Sequence, residues 1–157
     1  MNHRGAIPLS RLAVGDRGRI VAVRGPARRR LMDLGFVRDE PIEVERVAPL
    51  GDPVEYVIKD VHMSLRRRDA DHILVVGAAG DVPTFPLTAA RSGEEVQVAG
   101  VHGGRRLTGR LAAMGVVPGT VLSVISANGG PVVVAQGESR LALGKGEAAQ
   151  VRVSLRP

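Results

Sequence analysis

The sequence predicts a mainly β protein built as two tandem small barrels, each with short helices. Three observations carry that expectation. The chain repeats itself at an offset of about 78 residues. Each copy is a series of short segments of alternating polarity separated by turn residues. Each copy also carries one short apolar helix pattern that stops at a glycine.

The repeat is the strongest of the three. IPLSRLAVGDRGRIVAV at 7–23 aligns with FPLTAARSGEEVQVAGV at 85–101, placing Pro8 on Pro86 and Gly15 on Gly93. RLMDLGFVRDEPIEV at 30–44 aligns with RLAAMGVVPGTVLSV at 110–124, placing Leu31 on Leu111 and Gly35 on Gly115. PVEYVIKDVHMSLRRRDA at 53–70 aligns with PVVVAQGESRLALGKGEA at 131–148, placing Leu65 on Leu143. The expected organisation is a first domain at 1–76, a linker at 77–84 (GAAGDVPT) and a second, diverged domain at 85–157.

Within the first copy the elements follow in order. GRIVAV is β-branched and flanked by glycine, so it reads as a strand. RRRLMDLGFV reads as a helix: Gly25 is placed to cap it and Pro26 suits its first position. Ala27, Leu31 and Leu34 share its apolar face, and Gly35 takes the left-handed position that ends it. In the second copy Leu107, Leu111, Met114 and Gly115 repeat that design. PIEVERV alternates, with Ile42 and Val44 opposite Glu43 and Glu45. PVEYVIK puts Val54, Tyr56 and Ile58 on one face, and VHMSL groups Val61, Met63 and Leu65 against His62 and Ser64. HILVV closes the copy. Five short strands with one buried face predict a small closed barrel, which removes most exposed strand edges.

Composition narrows the function. There is no cysteine, which excludes disulfides, zinc ribbons, iron–sulfur clusters and thiol catalysis. The N-terminal MNHRGAIPLS lacks a signal-peptide apolar core, and no apolar run approaches 18 residues, so a cytoplasmic protein is expected. The net charge of +6 is carried by 20 arginines and 2 lysines and divides equally between the two halves. The three aromatic residues, Phe36, Tyr56 and Phe85, cannot supply stacking platforms for single-stranded nucleic acid or an aromatic groove for Pro-rich peptides. No nucleic-acid partner is expected, because no pair of turn-linked helices offers a recognition helix. The serines lack a nucleophile-elbow setting. GESRLALGKG fails as a phosphate loop, since Gly137 and Gly144 are separated by six residues and Gly146 stands where Ser or Thr is needed. A non-enzymatic protein is expected.

Leu9-Ser10 before a glycine turn, the helix end Arg29-x-Leu31-x-x-Leu34-Gly35, the APLGDP stretch at 48–53 and Leu65-Arg66-Arg67 before Ala70 together resemble the FeoA family, ferrous iron transport protein A. The second half resembles a diverged copy, through Pro86-Leu87-Thr88, Arg110-Leu111, Met114-Gly115 and Pro118-Gly119-Thr120. The resemblance implies two SH3-like β-barrels. It also implies a small accessory of the membrane Fe(II) transporter FeoB, peripheral to the membrane only through that partner. One departure is Arg38-Asp39-Glu40, where the family pattern has a Pro-Gly turn that the second copy keeps.

Candidate sites follow. The partner surface is placed on the helix and its flanking turn: Arg28, Arg29, Arg30, Met32, Asp33, Phe36 and Val37. Arg29 and Asp33 are also placed to pair along the helix. For metal, His62, Asp69, Asp71 and His72 combine imidazole and carboxylate, donors suited to Fe(II) or another divalent transition metal. An alternative function is a metal-responsive regulatory module acting through a repressor or other soluble partner. A third reading is a homo-oligomer formed through strand edges.

Overall fold

The computed structural model describes residues 5–156. The chain divides into two compact units, one ending at Pro83 and the next beginning at Thr84. Residues of the expected linker close a turn on the first unit, where the Gly77 amide donates to the Asp81 carbonyl at 2.8 Å.

The first unit contains β1 (Ile7–Pro8), β2 (Arg17–Val23), α1 (Arg28–Asp33), β3 (Pro41–Val47), β4 (Val54–Ile58), β5 (Val61–Leu65), α2 (Arg67–Ala70) and β6 (Ile73–Gly77). Its strands form one antiparallel sheet in the order β1-β6-β2-β3-β4-β5. The second unit repeats this with β7 (Phe85–Pro86), β8 (Glu95–Val101), α3 (Arg105–Ala113), β9 (Val121–Ser126), β10 (Val132–Gln136), β11 (Ser139–Leu143), α4 (Lys145–Ala148) and β12 (Val151–Leu155). Its sheet runs β11-β10-β9-β8-β12-β7, the same order. Both units have the SH3-like, mainly β arrangement that the sequence predicts.

Two details differ from expectation. Each sheet has six strands rather than five, because the two residues beginning each copy pair with its last strand. The ladder is also open: among the described residues no pairing joins β1 to β5, so β5 is an edge. Of the face expected to be apolar, Leu65 alone is buried; Val61 is exposed and Met63 half-buried because β5 has no neighbour on that side, and the exposed His62 and Ser64 keep the edge from templating another strand.

Alternation builds each core. Ile20, Ile42, Val44, Val54, Tyr56, Ile58, Ile73 and Val75 are buried in the first unit, and Val96, Val98, Leu122, Val124, Val132, Val134, Val151 and Val153 in the second. Burial pushes the Tyr56 phenol well above its ordinary pKa. The β4–β5 hairpin turns on Lys59 and Asp60, both at positive φ (51° and 62°), the conformation a two-residue hairpin of matching twist requires. No Asn-Gly pair signals it.

The helix differs more. It begins at Arg28 with Ala27 as its cap; Gly25 and Pro26 form the preceding turn, in which the Arg28 amide donates to the Gly25 carbonyl at 3.1 Å. Leu31 is fully buried, but Leu34 is 43% exposed, and the next apolar anchor is Phe36, at 0% exposure. The chain turns at Gly35 (φ 108°), so the Phe36 amide reaches back to the Leu31 carbonyl at 3.1 Å and its ring enters the core. The second copy does the same, with Leu111 and Val116 buried and the Val116 amide bonded to the Leu111 carbonyl at 2.8 Å. A pattern of i, i+4, i+7 assumes that the helix continues; it ends after six residues in α1, and the glycine redirects the chain.

Candidate functional site

Three residues of the two arginine runs, Arg28, Arg30 and Arg67, hold the frame. Arg67 donates through Nε to the Gly51 carbonyl and through Nη1 to the Ser10 carbonyl at 3.1 Å, while its amide donates to Asp52 Oδ1 at 2.9 Å. One side chain therefore ties the 48–53 loop and the turn after β1 to the start of α2. Arg30 Nη2 meets Asp69 Oδ2 at 3.0 Å, joining α1 to α2. The second copy builds the same link from Arg110 to Glu147. Arg28 donates through Nε to the Val23 carbonyl at 3.2 Å. Arg29 is exposed, and among the described residues no ion pair joins it to Asp33.

Of the proposed partner surface, Arg28, Arg29 and Asp33 are exposed and Met32 and Val37 are half-buried. Phe36 is withdrawn into the core and is not part of that surface. The four metal candidates are not brought together. Asp69 is held by Arg30, and Asp71 accepts from the Ser10 hydroxyl. The His72 ring packs on the helix-entry turn, where a Cβ added at Gly25 would lie 2.8 Å from it.

His62 has different neighbours. On the outer face of β3, β4 and β5 its Nδ1 contacts the Glu45 carboxylate and lies 3.3 Å from Glu55 Oε1. Arg46 Nη2 donates to the other Glu55 oxygen, Oε2, at 2.8 Å. Glu45 and Arg46 reach the same face because of a bulge: Val44 pairs with Tyr56 and Arg46 with Glu55, leaving Glu45 as the extra residue. The hydrogen bond to Glu45 and the negative charge there raise the His62 pKa, with Glu55 adding to the effect. The bond from Arg46 lowers the pKa of Glu55. A groove of about 440 Å³, lined by Arg46, Val47, Ala48, Pro49, Glu55 and Ser64, adjoins this cluster. Sequence reasoning missed the cluster because alternation alone does not reveal which strands are neighbours or where the bulge lies.

The pattern of the FeoA domain matches residues 7–76 and again 85–155. The chain belongs to the FeoA family. The solution structure of iron(II) transport protein A from Clostridium thermocellum is similar over 94% of this chain and 86% of that one, with a TM-score of 0.71 and 34% identity. An Fe(2+) transport protein A/Fe(2+) transporter FeoB fusion protein from Porphyromonas gingivalis is 49% identical over 82 residues, which is 51% of this chain. The match spans 10% of that fusion protein's length. The two family matches follow the internal repeat, so this is a tandem FeoA chain. No helix among the described residues is long and apolar enough to cross a membrane.

Proposed function

We propose that this chain is a non-enzymatic, cytoplasmic accessory of ferrous iron uptake that docks on the cytosolic part of a FeoB-type transporter. The observation that carries the reading is the relative in which FeoA and FeoB sequences are one polypeptide. Two modules fused in one organism are kept at high effective concentration, a use that separate chains reach by binding. The surface we assign to docking is the outer side of α1 with the turn that follows it: the exposed Arg28, Arg29 and Asp33 and the half-buried Met32 and Val37. Its arginines project from a helix that is otherwise anchored by Leu31 and Phe36.

The test is a binding measurement between the full chain and the cytosolic portion of a FeoB transporter, with and without Fe(II) and nucleotide. Saturable binding is expected. Arg28→Glu with Arg29→Glu is expected to weaken it about tenfold at low salt and less at high salt, because exposed charges steer encounter within a Debye length. Absence of binding under all four conditions removes the proposal.

A further inference from the structure

We propose that Glu45, Glu55 and His62 form a binding site for one first-row divalent cation on the outer face of the first unit. Among the described residues, this is the one group of three or more His, Asp or Glu side chains whose ligand atoms all lie within 4.8 Å of one another. The donor set is chemically mixed. Two carboxylate oxygens and a neutral imidazole nitrogen suit Zn(II), Mn(II) and Fe(II), whereas Ca(II) and Mg(II) prefer oxygen alone. The spacing fits as well. Ligand atoms about 2.1 Å from a shared ion lie roughly 3.0–3.4 Å apart, and His62 Nδ1 to Glu55 Oε1 is 3.3 Å. Glu45 is exposed and has room to draw back from the imidazole by the small distance required.

The three ligands come from three adjacent strands, and two devices aim them. The bulge in β3 turns Glu45 outward beside Arg46. Arg46 engages Glu55 Oε2, which leaves Oε1 directed at His62. This is the arrangement in which an outer partner orients a ligating carboxylate. The fold itself does not require the charges. The second unit has the same bulge, between Val133 and Val134 of β10 and the facing β9 strand, and there the corresponding positions are Ile125, Val133 and Arg140. The acidic pair is particular to the first unit, where Arg46 and His62 balance its charge when no metal is bound. A cation takes the place of the imidazole proton between the carboxylates, and the remaining coordination positions open to solvent and the adjoining groove.

The experiment uses the full chain after chelator treatment. Zn(II) is titrated by calorimetry, and Mn(II) is added at substoichiometric amounts while amide signals are followed by NMR. One saturable Zn(II) site is expected, with Mn(II) broadening concentrated at Arg46, Val57, His62 and Ser64. Glu45→Gln and His62→Gln, both exposed and so compatible with folding, are each expected to weaken Zn(II) binding at least tenfold, while His72→Gln leaves it unchanged. Absence of saturable binding overturns the site. So does wild-type affinity in both Glu45→Gln and His62→Gln, or broadening centred elsewhere. Because no transporter is present, the result is independent of FeoB docking.

Discussion

The two units share one backbone plan and differ in what that plan carries. Both have the same strand order, the same glycine-redirected helix end, the same bulge on the central strands and the same arginine-to-acid link from the long helix to the short one. The outer face of the bulge is where they part. The first unit places Glu45, Arg46, Glu55 and His62 there; the second places Ile125, Ser126, Val133 and Arg140. Features present in both copies build the fold. A feature present in one copy on a shared backbone has been released from that task and is where specialised function is to be sought. By this criterion Arg30, although part of a charge run, belongs to the frame, and Arg29 does not.

The largest expected effect tests where the frame is anchored. Phe36 is fully buried, so Phe36→Ala removes an aromatic side chain from a small core and is expected to destabilise the first unit by about 3–5 kcal/mol. Leu34 is exposed, and Leu34→Ala is expected to change stability by no more than about 0.5 kcal/mol. Chemical denaturation followed by signals from each unit separates the two effects. Equal losses from both substitutions contradict the redirected helix end, and loss in the second unit contradicts two independent cores.

The next effect concerns the face on which the units differ. If backbone geometry aims the ligands, the second unit accepts the same chemistry. Ile125→Glu, Val133→Glu and Arg140→His together are expected to add a second equivalent of bound Zn(II), with affinity within about tenfold, or about 1.4 kcal/mol, of the first. A stoichiometry that stays at one, in a variant that remains folded, limits the site to something the first unit has beyond its bulge. Arg46 is the residue to transfer next, since Ser126 cannot orient a carboxylate as a guanidinium does.

The same comparison explains what the sequence made legible. Repetition, alternation and the glycine stop predicted two mainly β units and the buried faces of β3 and β4 in the first. These signals are local, or are comparisons of the chain with itself. The helix face was misread at Leu34 and Phe36 because Gly35 changes the chain's direction within one residue, and a helical period cannot register that. The expected grouping of His62 with Asp69, Asp71 and His72 relied on closeness in sequence. Strand pairing instead sets His62 opposite Val57 and beside residues of β3, which lie 17 positions away at Glu45. Register and bulge position are properties of neighbouring strands, so the cluster becomes visible only when the sheet is assembled.

The smallest effect probes the charge difference at that cluster without any metal. In chelator-treated protein the first unit carries a histidine between two carboxylates, where the second unit has Arg140 with no carboxylate at the positions of Glu45 and Glu55. The Glu45 carboxylate, followed by Glu55, favours the protonated imidazole, so the His62 pKa in the folded state lies above its ordinary value. A raised folded-state value means that the folded chain holds the proton more tightly than the unfolded chain. The stabilisation is therefore fully present below the unfolded-state pKa of about 6.5 and is lost as pH rises through the folded-state value. Since His62 is exposed, solvent screens the interaction and the stability change is small. The titration itself is the sensitive observable. An NMR titration is expected to give His62 a midpoint above the ordinary histidine value, and Glu45→Gln is expected to bring it down. A midpoint for His62 that Glu45→Gln leaves in place would mean that the bulge does not hold Glu45 against the imidazole. The two units would then differ in composition at this face but not in the electrostatics that composition creates.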